Sequence, residues 1–202
     1  MKRKLLYLSL ILLTLTCVAN AQISTTAHDF SGNAWTDGEI CIVCHPPHNA
    51  DVTEANQPLW NHESTVATFT VYNNDASMNA TVGQPSGSSK LCLSCHDGTV
   101  AVDNFGGATG DLSFVGDGDL GTSIGDDHPV SFTYDATLAT ADGGLYDPTS
   151  QTSGLGGTIT VDMLADGKVE CSSCHDVHDD THGNFLLMSN DASALCLTCH
   201  NK

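Results

Sequence analysis

The chain has little positive charge. Its 202 residues include 6 lysines and arginines against 24 aspartates and glutamates, which gives a formal net charge of −18. Because phosphate binding requires lysine and arginine, this imbalance argues against nucleic acid and anionic lipid as partners. Basic proteins, metal ions and mineral surfaces suit such a charge better. The same charge also keeps a protein soluble outside the cell, an explanation that requires no partner.

Long apolar runs are also scarce. The extended run from Leu5 to Val18 follows a basic start, Met1-Lys2-Arg3-Lys4, and precedes the small residues Ala19-Asn20-Ala21. It is too short for a comfortable transmembrane span, and the three features together predict a signal peptide over residues 1–21. We therefore expect an exported protein without stable membrane insertion, extracellular, on the cell surface or in the periplasm. Its mature domain would cover residues 22–202.

Cysteine, in contrast, is plentiful, and eight of the nine cysteines lie in four copies of Cys-x-x-Cys-His. The copies are Cys41, Cys44 and His45; Cys92, Cys95 and His96; Cys171, Cys174 and His175; and Cys196, Cys199 and His200. This spacing is typical of c-type haem, whose porphyrin edge bonds to the two thiols and whose iron binds the histidine. Zinc sites and disulfides use the same cysteines, but neither requires a histidine directly after the second one. The motifs therefore predict four covalently attached haems with these four histidines as proximal ligands.

The segments between the motifs are polar and rich in glycine, as in residues 83–89 and 106–125. A conventional apolar core would be thin, so we expect a multihaem cytochrome c fold in which the haem stack is the core. Such a fold is loop-rich, with little regular secondary structure. We predict short helices carrying the motifs at residues 41–45, 89–96 and 192–200, and short strands at 65–72 and 158–161. The last two motifs form a doubled unit at 171–200.

Six histidines remain as candidates for the distal side of the irons: His28, His48, His62, His128, His178 and His182. Methionines are few, so histidine on both faces of each iron is the economical assignment. His48 and His178 each follow a proximal histidine by three residues, which reach about 10 Å at most, too short to pass round a porphyrin. Each would therefore bind a neighbouring haem. His128 precedes a proline, which favours extended backbone.

Several segments together resemble a known group: residues 39–50, 58–61 and 90–100, Asp127-His-Pro-Val-Ser-Phe132, and Cys171-Ser-Ser-Cys-His-Asp-Val-His178. They are similar to secreted tetrahaem cytochromes, including extracellular cytochrome filament (nanowire) subunits of the OmcE type, and the final pair resembles the doubled CxxCH domain. The resemblance implies bis-histidine ligation with His28, His48, His128 and His178 as distal ligands. His62 and His182 are then left without a role. In filament-forming members one distal histidine crosses to the next subunit, and His28, on the N-terminal arm, is our candidate.

An iron with two strong histidine ligands has no open position for a substrate. The sequence therefore predicts a low-potential electron carrier of extracellular or periplasmic respiration, without catalytic residues. Its partners would be redox proteins or extracellular electron acceptors, and in one version further copies of itself in a conductive filament. The alternative is a multihaem reductase of nitrite, hydroxylamine or a metal oxyanion with one open haem site. The surplus of histidines argues against this alternative.

Overall fold

The computed structural model describes residues 22–54, 58–73, 78–114, 116 and 118–202. The predicted signal peptide, residues 1–21, lies outside the described residues. Regular elements in the described part are short, and turns and loops connect them. The loop-rich fold with few short helices and strands is thus confirmed, and it is consistent with a small cytochrome c-like fold.

The α-helices of the described residues are α1 (Gly87–His96), α2 (Ala136–Asp142), α3 (Ile159–Asp162) and α4 (Ala194–Cys199). Short 3₁₀ turns occupy Ala34–Thr36, Cys171–Ser173 and Asp191–Ser193. The strands are β1 (Thr70–Val71), β2 (Ser123–Ile124), β3 (Phe132–Thr133) and β4 (Lys168–Val169). β1 pairs with β2 in parallel, and β3 pairs with β4 antiparallel.

Helix α1 begins at Gly87, inside the polar, glycine-rich segment at residues 83–89. Ser86 precedes the helix in extended conformation, and the Gly87 N–H donates to the Glu54 carboxylate at 3.2 Å. Leu91 and Leu93 are buried inside the helix. The helix ends at His96, and Gly98 follows with a φ of +68°, a left-handed conformation that glycine adopts without strain. Residues 87–89 therefore belong to a motif-bearing helix rather than to a loop.

Three predicted elements differ in the structure. Residues 158–161, predicted as a strand, form most of α3: Ile159 is fully buried while Val161 is 76 % exposed. A strand would place these two residues on one face, whereas a helical turn places them on opposite sides. Residues 41–45 form turns rather than a helix, and only Thr70–Val71 of the predicted strand at 65–72 is a strand.

Two apolar clusters lie among the described residues. The larger joins β3, α2, α3, β4 and α4, and its buried members are Phe132, Tyr134, Ala139, Ile159, Met163, Val169 and Leu195. Cys174 and Cys199, from the third and fourth motifs, pack against it. The smaller cluster, Phe69, Leu93 and Ile124, packs β2 against α1. Both clusters hold motif-bearing segments in place.

The N-terminal arm folds back onto the C-terminal third of the chain. The backbone N–H of Gln22 donates to the His178 carbonyl at 2.7 Å. Further along the arm, the His28 ring stacks on Phe185 with centroids 4.8 Å apart. The N-terminal arm therefore packs against the segment that follows the third motif.

Among the helices of the described ranges, none has the length and apolar character needed to cross a bilayer.

Candidate haem-binding sites

A single helical turn arranges the ligands of each motif. In the first, third and fourth motifs the histidine N–H donates to the carbonyl of the first cysteine, at 2.8 Å for His45, 3.1 Å for His175 and 3.0 Å for His200. The second motif lies within α1. Residues at positions i, i+3 and i+4 of such a turn share one side of it. The two thiols and the imidazole of each motif therefore face the same way, as attachment to one flat group requires.

Three of the four predicted proximal histidines have rings held by hydrogen bonds to backbone carbonyls. The Nδ1 atom of His45 donates to Leu59 O at 2.8 Å, that of His96 to Gly118 O at 2.7 Å, and that of His175 to Asn184 O at 2.9 Å. Metal-binding histidines commonly bond their second nitrogen in this way, which fixes the ring and raises its basicity. In all three rings Nε2 remains available for a metal ion.

Three of the proximal histidines face a second histidine. The ring centroids of His96 and His28 are 5.9 Å apart. Those of His45 and His178 are 6.1 Å apart. Those of His200 and His128 are 6.4 Å apart. In each pair one partner is a predicted proximal ligand and the other a predicted distal ligand.

This spacing fits one metal ion between the rings. An imidazole nitrogen binds a metal ion at about 2.0 Å and lies about 1.1 Å from its ring centre, so two rings on opposite faces have centroids about 6.2 Å apart. The observed separations lie within a few tenths of an ångström of this value. Parallel and perpendicular rings are both compatible, since each ring turns about its own bond to the metal. The residues present therefore fit bis-histidine haem.

The environment favours the neutral form of two of these histidines, which is the form that binds metal. Burial lowers the pKa of His28, and the neighbouring His96 lowers it further. Burial also lowers the pKa of His200, with His128 as the next contribution. The Nδ1 atom of His28 is buried without a hydrogen-bond partner.

The fourth proximal histidine, His175, is exposed, and no ring of the described residues contacts it. His48 and His182 are exposed and lack ring contacts in the same part of the chain. His62 is different, because it is 2 % exposed and its two nitrogens bond to the carbonyls of Glu63 and Ala101 at 2.8 and 2.9 Å. Both of its nitrogens are thus engaged by the protein.

Burial controls the acidity of several motif thiols. It raises the pKa of Cys44 to about 11 and that of Cys95 to about 12. It also raises the pKa of Cys199 to about 11. The eight described cysteines form no disulfide, and no three histidine, cysteine or acidic side chains of the described residues converge as a metal site.

The third motif lies close to each of the other three motifs. Its Cys171 thiol is hydrogen-bonded to Cys92 of the second motif, which raises the pKa of Cys92 and lowers that of Cys171. His178, which follows the third motif, faces His45 of the first. Cys174 packs against the same apolar cluster as Cys199 of the fourth. The four motifs therefore form one contiguous set.

Sequence reasoning missed Glu170, the residue before the third motif. Its carboxylate is buried among serines of α1 and of the turn before β3. The sequence signal that could have found it is the serine-rich stretch Ser86-Gly-Ser-Ser89, because serine hydroxyls can bind a buried acid. The same stretch is also typical of an ordinary polar loop.

Comparison with known proteins gives one family match. The doubled CXXCH motif matches residues 163–202, which contain the third and fourth motifs. No curated protein matches the chain. The match supports a multihaem c-type cytochrome that binds haem and transfers electrons.

Proposed function

We propose that the chain is a tetrahaem, bis-histidine c-type cytochrome that carries electrons at low potential in extracellular or periplasmic respiration. The single observation that carries the proposal is the set of three histidine pairs with centroids 5.9, 6.1 and 6.4 Å apart. Each pair combines the histidine of a Cys-x-x-Cys-His motif with one from a distant segment. Export, suggested by residues 1–21, agrees with the usual location of multihaem c-type cytochromes.

The side chains have separate roles in this proposal. The cysteine pairs hold each haem covalently, and His45, His96, His175 and His200 bind the irons on the proximal side. His178 pairs with His45, His28 with His96, and His128 with His200. When bound, each haem supplies a one-electron iron couple. Two imidazoles per iron would stabilise the oxidised state and leave no position for a substrate, and the carbonyls bonded to Nδ1 of His45, His96 and His175 would strengthen this effect.

The contacts between motifs support electron transfer across the molecule. Because His178 lies three residues after His175, its pairing with His45 ties the first and third sites together. The adjacent side chains of Cys92 and Cys171 bring the second and third sites together. Short separations between redox groups favour rapid electron transfer, so this arrangement suits a carrier rather than a set of independent sites.

The ligand assignment is tested by replacing each distal histidine with methionine. We expect His28→Met, His128→Met and His178→Met each to keep four haems while raising one reduction potential and giving one histidine–methionine spectrum. His182→Met is the matched control, because its exposed ring contacts no other ring of the described residues. Spectra and redox titrations identical to the parent protein would remove the corresponding residue from the ligand set.

The fourth site supports the filament version of the proposal. His175 and His48 are both exposed and are the members of the predicted ligand set without a ring partner in the described chain. His28, the sequence-based candidate for crossing to another subunit, instead lies against His96 of its own chain. We therefore infer that His48 of one copy binds the iron carried by His175 of the next. Under this proposal, His48→Ala should abolish polymers in micrographs of secreted protein while His182→Ala keeps them. Small particles alone from the parent protein would refute the filament.

The unpaired His175 also favours a second candidate function, a multihaem reductase with an open iron at this site. Measuring the binding of carbon monoxide or cyanide distinguishes the electron carrier from the reductase. A carrier whose fourth site is closed by His48 binds neither ligand tightly when assembled. Tight binding of one ligand per chain in assembled protein at neutral pH, with turnover of nitrite or hydroxylamine, would establish the reductase instead.

A further inference from the structure

Glu170 is a buried acid at the start of the third motif. The residue is 2 % exposed and directly precedes Cys171. Three serine hydroxyls donate to its carboxylate: Ser131 at 2.8 Å, Ser89 to the same oxygen, and Ser86 at 3.5 Å to the other oxygen. The ion pairs of the described residues, Lys90–Glu54 and His178–Asp176, do not include it. Hydroxyl groups therefore contact the carboxylate, and Lys168 Nζ is linked to it through the Ser86 hydroxyl.

The serine hydroxyls that donate to Glu170 are themselves held in place by other donors. The Cys171 N–H donates to Ser89 Oγ at 2.9 Å, and the Ser86 N–H donates to Ser131 Oγ at 3.0 Å. Lys168 Nζ donates to Ser86 Oγ at 3.3 Å. Each serine oxygen thus accepts one hydrogen bond, while its O–H points to the carboxylate. Three hydroxyl donors suit a carboxylate that is buried away from water.

The same cage joins two attachment motifs. Ser89 lies on α1, three residues before Cys92, and Glu170 lies next to Cys171. Beside the cage, the hydroxyls of Ser88 and Ser172 are 2.7 Å apart. The carboxylate therefore lies at the junction of the second and third motifs, where the thiols of Cys92 and Cys171 meet.

We propose that Glu170 is a positioning and charge-setting residue, which holds α1 against the third motif and lowers the reduction potentials of the haems attached at Cys92 and Cys171. The inference rests on the proposed haem attachment. A fixed negative charge favours the oxidised iron over the reduced iron, because the oxidised form carries one more positive charge. Salt screens a buried charge only weakly, so the effect persists at physiological ionic strength.

The test is Glu170→Gln, which keeps the shape of the side chain and removes its charge. We expect four haems by pyridine haemochrome assay and an upward shift of two potentials. The expected size is about a tenfold change in the ratio of reduced to oxidised haem at fixed potential, which is about 59 mV for one electron. Glu170→Asp keeps the charge and should keep both potentials near the parent values.

Asp162→Asn is the matched control. The Asp162 carboxylate also lies in a small cage, with a hydroxyl donor from Ser153 and the Gly157 N–H at 2.7 Å, but at the end of α3, which carries no motif. Its substitution removes one charge and should shift the potentials less than Glu170→Gln does. An equal shift, or no shift in Glu170→Gln with four haems present, would overturn the role of Glu170.

Failure of the proposed function can be distinguished from failure of this inference, because the parent protein itself would then contain fewer than four haems.

If Glu170→Gln does not fold, Ser131→Ala replaces it as the test. This change removes one hydroxyl donor and keeps the charge, so the less compensated carboxylate should lower the same two potentials. Unchanged potentials in Ser131→Ala would likewise overturn the inference.

Discussion

Two histidines outside the proposed ligand set differ sharply in their surroundings. His62 is 2 % exposed and bridges the carbonyls of Glu63 and Ala101, whereas His182 is exposed. Only one nitrogen of a neutral imidazole donates, so the ring binds one of these carbonyls by a hydrogen bond and packs its other nitrogen against the second, which leaves neither nitrogen facing an open space. His62 is therefore best explained as a structural cross-link.

Replacing His62 with alanine should lower the free energy of unfolding by about 2–4 kcal/mol, because one carbonyl loses its donor and a cavity opens. His182→Ala should change it by less than about 0.5 kcal/mol. Denaturant titration of the haem-loaded proteins measures both. Four haems and unchanged spectra are expected in each variant, and loss of a bis-histidine spectrum in His62→Ala would instead make His62 a ligand.

Particular residues show which parts of the candidate site could be predicted from the sequence. The spacing of Cys-x-x-Cys-His predicts the proximal histidines, and chain reach predicts that His178 serves a site other than its own. The pairing of His178 with His45, and of His28 with His96, could not be predicted, because each depends on how distant loops close. Glu170 was missed for the same reason, since its hydroxyl donors come from separate segments.

At the scale of single elements, helix α2 has a complete set of end signals. The Asp135 carboxylate accepts the Leu138 N–H at 2.8 Å at its start. Gly143, with a φ of +69°, ends it. Between them Ala139 enters the larger apolar cluster. The cap therefore stabilises a helix that supports the third and fourth motifs.

Asp135→Ala should lower the free energy of unfolding by about 1 kcal/mol, because the first turn of α2 loses its side-chain acceptor. Asp135→Asn keeps an acceptor and should cost less. Thr137→Ala, at an exposed position of the same helix, is the control and should be neutral or slightly stabilising. Thermal unfolding of the three variants under one buffer condition checks the order, and equal losses in Asp135→Ala and Thr137→Ala would contradict the cap.

Elements were predictable where local chemistry decides and not where packing does. Helix α1 was expected from residue 89, and the structure starts it two residues earlier because Glu54, far away in sequence, binds the Gly87 N–H. The alternating β-branched residues at 158–161 favoured a strand, yet burial of Ile159 in the larger cluster imposes a helical turn. Tertiary contacts overrode propensity in both places.

For the whole molecule, charge is the dominant long-range term. With 24 acidic and 6 basic residues, repulsion acts across the surface, while Lys90–Glu54 is the lysine ion pair of the described residues. Raising the ionic strength shortens the screening length from about 30 Å at 0.01 M to about 8 Å at 0.15 M. Because most charges of the chain are negative, the added salt weakens repulsion between acidic residues more than it weakens attraction between opposite charges.

The melting temperature should therefore rise between these two salt concentrations, as measured by calorimetry on the haem-loaded protein. Sodium chloride and potassium chloride should act alike if screening is the cause, and this comparison is the control for specific ion binding. A fall in melting temperature with salt would show that attractive ion pairs outweigh the net charge.

The closure of the N-terminal arm over the C-terminal third has a consequence for biogenesis. The bond from Gln22 to His178 and the stacking of His28 on Phe185 join the first exported stretch to almost the last. Until the C-terminal third has been synthesised, the arm has no docking surface, and the His96 ring lacks the neighbouring His28 ring. Under the proposed function, haem attachment at the earlier motifs would thus take place on an open polypeptide, and premature termination upstream of residue 178 would leave the arm undocked.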